Sequence, residues 1–486
     1  MELVAQVLQA CERTPKATAI VGPRGEAMTF GALRERALRI RDRLSAAGLA
    51  RGDGVLYAVE PSPEAIAVAL GVVAAGGVLV LADPGVPPAI LAARLRLADP
   101  RWVVAESRLY ALTSLAPLRA LVRRRGVLLP SLRDPLPGDD LHTGLRHAYT
   151  GRWLPGVPRH AVRLRGLDGP APQEYGGADA DGPAAVIFTS GTTANPRAVV
   201  HTQRSLAAGL EIFRDHFPVG PGDVVHADGL MIGLPALIGG ATWSMGPARL
   251  IARRPVTHLY CVPVEFAGLD AFPATLRTVM LGSAPAPPAV LRMALQLPVS
   301  QVLSIYAMTE ALPIALATAR DKLDHAEGDL LGAPLPGVGV RFTEDQELVV
   351  SGPHLAGRYL GEPPLSEVAT GDLVRMDDQG RLVLLGRKKD MILRDGFNIY
   401  PSLYEPAIAA LPGVADAAVI GIADAATGDE EVVLALVADR PVDARELRSV
   451  MDAGALPDRI ELLPEFPYSS RRKLDRAALR ELIRRR

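Results

Sequence analysis

Cysteine is nearly missing from this chain: Cys11 and Cys261 are the two among 486 residues. They lie far apart and without metal-ligand spacing, which argues against a disulfide framework or a zinc site and fits a reducing compartment. Both are expected to be packed thiols. Net charge is missing too. The 53 basic and 54 acidic residues leave a formal charge of −1, so the cationic excess that neutralises many phosphates is absent and no nucleic-acid partner is expected. Lysine is scarce, at positions 16, 322, 388, 389 and 473 alone, so a late lysine stands out against an arginine background. The start, with Glu2 and a mixed amphipathic stretch, lacks the pattern of a secretory signal, and a cytoplasmic location is expected. One long apolar run is present, at residues 65–82. Gly76 and Gly77 interrupt it and Asp83-Pro84-Gly85 closes it, so it predicts a buried helix, a tight turn and a core strand rather than a membrane span.

What remains is an ordinary globular balance, 49% hydrophobic and 22% charged, in a chain long enough for two or three folding units. Residues 1–105 alternate helix-like stretches (30–47) with short β-rich runs (54–59 and 78–81), the rhythm of β-α units on a parallel sheet. Residues 106–182 are Pro- and Gly-rich and carry Arg123, Arg124 and Arg125. They predict a surface excursion with a solvated basic face rather than a lipid-facing helix. The alternation resumes at 184 and runs to about 386. A compact charged tail follows, with strand-like runs at 417–422 and 431–437 and a helical end from Asp475. The expected fold is α/β: a large N-terminal domain (1–386) of parallel-rich sheets and packed helices, and a small α+β C-terminal domain (387–486) joined by a hinge.

The densest chemical signal is Phe188-Thr189-Ser190-Gly191-Thr192-Thr193-Ala194-Asn195-Pro196-Arg197, which follows the apolar strand predicted at 184–187. Hydroxyls and a glycine after a strand make a loop that can wrap anionic oxygens. Downstream come Tyr306-Ala307-Met308-Thr309-Glu310, Thr370-Gly371-Asp372, Gly386-Arg387-Lys388-Lys389-Asp390 and Arg472-Lys473. One such loop is a weak signal, but five motifs in this order are a strong one. From about residue 30 to 479 the chain resembles the adenylate-forming superfamily of acyl-CoA synthetases, peptide-synthetase adenylation domains and beetle luciferases, and acyl-CoA ligases in particular.

The resemblance implies roles residue by residue. Thr189, Ser190, Gly191, Thr192 and Thr193 would surround the phosphates of ATP, Tyr306 would stack on adenine, and Thr309 would touch phosphate. Glu310 would hold Mg²⁺, a hard cation suited to carboxylate and phosphate oxygens. Asp372 would bind the ribose hydroxyls, with Arg387 adding a planar donor fork. The late lysine, Lys473, would neutralise charge growing on the α-phosphate. The acyl pocket would draw on Gly229, Met231, Gly233, Gly282, Ser283, Ala284, Ala307 and Met308, a nearly uncharged set that points to an apolar carboxylic acid. In acyl-CoA ligases the small domain then rotates for transfer to coenzyme A. Lys389 matches the hinge of that rotation, and Gly396 matches a glycine of the CoA tunnel, where a side chain would obstruct the thiol.

Several positions depart from the family pattern. Ala194, Arg197 and Ala198 stand where most members have Gly, Lys and Gly, Arg472 replaces a glycine before the late lysine, and Asp395 replaces one before Gly396. An alanine where a loop needs positive φ costs about 1 kcal/mol, and a broad guanidinium is not a neutral exchange for an ammonium. Apart from Asp395, which belongs to the CoA tunnel, the departures touch ATP-dependent adenylation. The expectation is therefore an acyl-CoA ligase impaired in adenylation that mainly thioesterifies a supplied acyl-AMP; the alternative is a loop that has adjusted to them. Asp228, the one counterpart of the aspartate with which peptide-synthetase domains grip an amino group, keeps a second alternative open, a stand-alone adenylation enzyme loading a carrier protein.

Overall fold

A computed structural model describes residues 2–82, 88–119, 131–133, 144–166, 172–177, 179–188, 197–325, 328–394, 397–423, 430–468 and 473–486. The apolar run at 65–82 resolves into the expected parts. Ser62 caps the helix Pro63–Ala74 by accepting from Ala65 N–H, with Pro63 in the first turn, where its missing N–H costs nothing. Gly76, at φ 87°, turns the chain into the strand Val78–Leu81. That strand lies between parallel partners Gly54–Ala58 and Pro183–Phe188, and helices on both faces leave it no polar side to show. Among the described residues no helix is long and apolar enough to cross a membrane. Both cysteines are buried, free thiols.

Two large sheets carry the fold. The first orders its strands Arg358–Tyr359, Ala198–Thr202, Pro183–Phe188, Val78–Leu81, Gly54–Ala58, Trp102–Glu106, Arg146–Thr150 and Val162–Arg163, with the last six running parallel. The second has a parallel half, including Val224–His226, His258–Cys261, Thr278–Leu281 and Gln301–Met308. Its antiparallel half runs from Ala311–Thr318 to Gly339–Phe342. The stretch expected to be an excursion is corrected here. Residues 146–150 and 162–163 extend the first sheet, and the helix Ser107–Ser114 packs beneath it. Arg146-His-Ala-Tyr-Thr150 lacks the apolar alternation by which a strand is recognised, because it lies toward the edge of the sheet. Arg123, Arg124 and Arg125 lie outside the described residues.

The second sheet's strand Leu382–Arg387 ends at Arg387, and a single 3-10 turn, Lys388–Asp390, leads to separate small sheets. There Val414–Ala423, Glu430–Ala438 and Arg459–Leu462 form a three-stranded sheet with a core on each face. Ile408 of the helix Pro401–Ala409 fills one core, and Leu479 and Ile483 of the helix Arg476–Arg484 fill the other. Asp475 caps the last helix through Ala478 N–H.

Gly233 shows how closely the large domain is packed. It lies in the helix Leu230–Gly239, where a Cβ would fall 1.9 Å from Cε2 of the buried Trp243. The indole is pinned by its own N–H bond to Ala227 O, so it cannot yield. Gly233→Ala is expected to cost about 2–3 kcal/mol through overpacking. Gly229, at the start of the same helix, has open space where its Cβ would stand, and Gly229→Ala should stay within about 0.5 kcal/mol of wild type. Urea midpoints for the two variants test the contrast; equal midpoints would show that the helix can slide off the indole.

Candidate active site

In open α/β sheets, ligands bind beyond the carboxyl ends of the parallel strands. Several of the sequence-predicted residues lie there. Thr189 to Thr193 lie outside the described residues, but their loop leaves the carboxyl end of Pro183–Phe188 and the chain returns antiparallel along Ala198–Thr202. In the second sheet, Gly282-Ser283-Ala284 follows Thr278–Leu281, Asp228-Gly229 follows Val224–His226, and Thr309-Glu310 follows Gln301–Met308. Leu281 sits opposite Ser304, so Ser283 and Tyr306 each emerge two residues beyond that pair.

Tyr306, Asp372 and Arg387 form one cluster. Tyr306 Oη donates to Asp372 Oδ2 at 2.5 Å, and Arg387 Nε lies 2.5 Å from Asp372 Oδ1. Asp372 and Arg387 are direct cross-strand partners, the arrangement in which opposite charges meet most readily. Asp372 is 2% exposed. The Arg387 contact is close but lacks hydrogen-bond geometry, so Oδ1 keeps an unmet acceptor. Burial raises the Asp372 carboxyl above its ordinary value, opposed by Arg387 and by the Tyr306 hydrogen bond. Burial prevails because Arg387 is 50% exposed and screened by water. Burial and the Asp372 charge together raise the Tyr306 phenol far above its usual range, so it stays a neutral donor. Beside this cluster Thr370, Gly371, Arg387, Lys388 and Lys389 line an open depression of about 390 Å³. A buried acceptor next to a cationic hollow fits a molecule that carries hydroxyls and phosphates together.

The turn Thr309-Glu310 is held from two sides by residues that sequence reasoning missed. Buried His201 bonds Thr309 O through Nε2 at 2.7 Å, and burial lowers its pKa, which suits a neutral ring donating from Nε2. Tyr359 Oη donates to Glu310 Oε1 at 2.8 Å, and Ala356 N–H donates to Glu310 O at 2.8 Å. Nothing in the local sequence singles out His201 or Tyr359. Their importance comes from strand pairing between Arg358–Tyr359 and Ala198–Thr202.

The acyl-side residues divide. Gly282 is hemmed by Ile305 Cγ2 and Tyr260 Oη, which a Cβ would meet at 2.6 and 2.8 Å. Ser283 holds φ 65°, a conformation rarely adopted without a glycine, and shares a 2.9 Å hydrogen bond with Tyr260 Oη. Behind them Phe213, Phe217, Ile232, Tyr260 and Ile305 form one apolar cluster; Tyr260 and Ile305 carried no sequence signal. Met308 packs instead with Tyr306 against Ala311, Ile314 and Leu355, on the side of the antiparallel strands. Ala307 and Ala284 are half-buried, and Gly229 borders open space. Gly233 faces the Trp243 indole. The Met231 side chain lies outside the described set. His226 is buried, bonded to Ser244 Oγ and Gly246 O, and serves the core. Asp228 is exposed, yet the protein around it and Glu265 raise its carboxyl. Lys389 is exposed in the 3-10 turn, Lys473 is exposed on the small domain, and Gly396 lies outside the described residues.

The AMP-binding enzyme family matches residues 7–360 of this chain. The chain belongs to the AMP-binding enzymes. Among curated relatives, a long-chain-fatty-acid–CoA ligase of Yersinia pestis is 32% identical over 45% of this chain and 42% of its own length. A 2-succinylbenzoate–CoA ligase of Bacillus cereus is 30% identical over 45% and 49%. An isonitrile lipopeptide synthase of Streptomyces coeruleorubidus is 35% identical over 44% and 16%. The chain thus spans about half, or less, of the length of the curated relatives it matches. Among solved structures, an amide bond synthetase of Marinactinospora thermotolerans superposes with a TM-score of 0.79 over 99% of both chains at 23% identity. An o-succinylbenzoate CoA synthetase of Bacillus subtilis, solved with its acyl-adenylate, gives 0.76 over 98% and 97% at 20% identity. These superpositions establish the α/β fold with its C-terminal domain.

In this AMP-binding enzyme, Asp372→Asn separates binding from stability. On the ribose role that the family resemblance implies for Asp372, removing the charged acceptor should weaken ATP binding by about tenfold or more, measured by calorimetry. Because the folded-state pKa is raised, ionised Asp372 burdens the fold: the penalty is absent below the ordinary 3.8, grows as pH rises through the folded value, and is full above it. The variant should therefore exceed wild type in urea midpoint at pH 7, with the difference closing toward pH 3.8. A midpoint at pH 7 below wild type would show that the Arg387 contact outweighs burial.

Proposed function

We propose that this AMP-binding enzyme is an acid–thiol ligase that joins an apolar carboxylic acid to coenzyme A through an acyl-AMP. The observation that carries the proposal is the buried Asp372 acceptor, held between Tyr306 and Arg387 beside a cationic hollow. In this reading Asp372 takes the ribose hydroxyls, the loop 189–193 takes the phosphates with Thr309, and Tyr306 lies against adenine. Glu310 is the carboxylate for Mg²⁺, which would offset phosphate charge when bound. The acid lies against Gly282 and the Tyr260–Ile305 side, where a nearly uncharged lining suits an apolar chain. Its carboxylate attacks the α-phosphorus, pyrophosphate leaves, and Lys473 steadies the charge on the phosphoryl oxygens. The CoA thiolate then attacks the acyl carbon and expels AMP. The coenzyme A ligases among the relatives favour CoA as acceptor, and the lipopeptide synthase keeps a carrier-bound thiol as the second reading. A cytoplasmic place, with ATP and CoA at hand, suits either.

We place the junction between domains 1–386 and 387–486 at the 3-10 turn. Lys388 Nζ is tied to the large domain, 2.5 Å from Asp345 Oδ2 and 3.0 Å from Glu347 Oε2. Asp390 faces Arg476 and Arg480 of the small domain at 3.8 and 3.9 Å. Lys389 stands between the two anchors, where a few dihedrals can absorb a rotation.

Lys473→Ala should lower acid-dependent pyrophosphate release about a hundredfold, the usual loss of one preorganised donor to a developing charge, while largely sparing CoA transfer from supplied acyl-AMP. Equal loss in both half-reactions would remove Lys473 from adenylation. Lys389→Pro, which fixes φ and removes a donor, should depress thioester formation far more than adenylate formation. Unchanged CoA transfer would place the pivot elsewhere. Apolar acids offered free with ATP, and separately as adenylates, with CoA and with a phosphopantetheinylated carrier, test the function itself. Thioester on the carrier alone would overturn the CoA reading. The departures in the phosphate loop make the first half-reaction the weaker one, and brisk pyrophosphate release by wild type would contradict that.

A further inference from the structure

We infer that Arg197 and Tyr359 act as a stacked pair that positions the Glu310 carboxylate for the nucleotide's metal, and that arginine stands at 197 because of this stacking. The inference rests on the proposed ATP site. Arg197 follows the phosphate loop directly, at the start of the strand pair that ends in Tyr359: Val199 lies opposite Tyr359, and Leu360 N–H donates to Ala198 O at 2.8 Å. That pairing brings the Arg197 guanidinium carbon to 3.6 Å from the centre of the Tyr359 ring. Its Nη2 lies 3.4 Å from Glu362 Oε2. Tyr359 in turn is 5% exposed and donates its phenol to Glu310 Oε1 at 2.8 Å.

Each contact assigns a task. The Tyr359 hydrogen bond fixes one carboxylate oxygen of Glu310, and the Ala356 N–H bond fixes its backbone, so the carboxylate has a defined direction. A cation over the ring face draws electron density from the phenol and strengthens its O–H as a donor. A guanidinium can lie flat on the ring and pair with Glu362 in its own plane. An ammonium, with tetrahedral donors, cannot satisfy both at once. The arginine in place of the family's usual lysine thus has a structural partner, and its first duty is to Tyr359 rather than to phosphate. Replacing it with lysine should damage the metal site instead of repairing the loop.

The test is calorimetric titration with ATP, in excess Mg²⁺ and in EDTA, of wild type, Arg197→Lys, Tyr359→Phe and the double variant. Wild type should bind ATP more tightly with Mg²⁺ than without. Each single variant should shrink that metal-dependent gain by about three- to tenfold and leave metal-free affinity within about twofold, and the double should be no worse than the poorer single. Arg197 is 57% exposed, so Arg197→Lys folds and decides the matter alone where Tyr359→Phe does not. Losses that fall equally on metal-free ATP, effects that simply add, or a stronger Mg²⁺ response in Arg197→Lys would each overturn the pair. Wild type that binds no ATP with or without metal would overturn the nucleotide site itself, and the pair with it.

Discussion

A carboxylate taken out of water has to be met by donors, and in this protein that requirement organises the centre of the molecule. Asp372 is met by Tyr306 from a strand 66 residues earlier and by Arg387 from the next strand. Their closure draws together the parallel and antiparallel halves of the second sheet. The demand is incompletely satisfied, since Oδ1 retains an unmet acceptor and burial raises the carboxyl. A fold selected for stability alone would replace such a group or pair it fully. The Arg387 contact supplies charge to Oδ1 without hydrogen-bond geometry, so this oxygen keeps acceptor capacity that a donor could use.

The same strand also sets the mechanical layout. Arg387 is the last residue of the large sheet, and Lys388 is anchored back onto Glu347, whose other oxygen accepts from Gly371 N–H beside Asp372. The Asp372 cluster and the 3-10 turn therefore share one hydrogen-bonded unit. On the far side, Asp390 faces arginines of the terminal helix, and Arg476 is itself bound through Nη2 to both oxygens of Glu405. Two stiff networks meet across Lys389. Ligand contacts at Asp372 and the orientation of the small domain can be coupled over very few bonds.

Legibility in the sequence followed burial and periodicity. The helix–turn–strand at 63–81 was readable because Gly76 and Gly77 punctuate an apolar run. The strand Arg146–Thr150 was not, since it carries no apolar alternation and only the short strand Val162–Arg163 lies beyond it. In the site, Tyr306, Glu310, Asp372 and Arg387 stood out through motif order. His201, Tyr359, Tyr260 and Ile305 did not, because each acts on a residue far away in sequence and has no local pattern of its own. Gly233 shows the converse: the motif placed it in a pocket segment, whereas its bare side is filled by an indole. Sequence order identifies which segments converge, and only packing decides which face of each segment looks into the site.

The scarcity of lysine gains meaning in this setting. Where a cation must lie against a surface, arginine serves better: Arg197 stacks on Tyr359 while reaching Glu362, and Arg387 lies along Asp372 with half its area in water. Such positions use the plane of the guanidinium, and its weak hydration lowers the cost of contact. Lysine persists at the junction and near the end, at Lys388, Lys389 and Lys473, and in the interior at Lys322, 4% exposed beside Asp329. A compact ammonium on a flexible stem needs no matching plane and can approach one oxygen from many directions. In a chain where 48 of 53 basic residues are arginine, the planar cation serves the surface contacts at Arg197 and Arg387, while lysine also serves a fixed contact, Lys322 being held against Asp329 and bonded to Leu330 O at 2.7 Å.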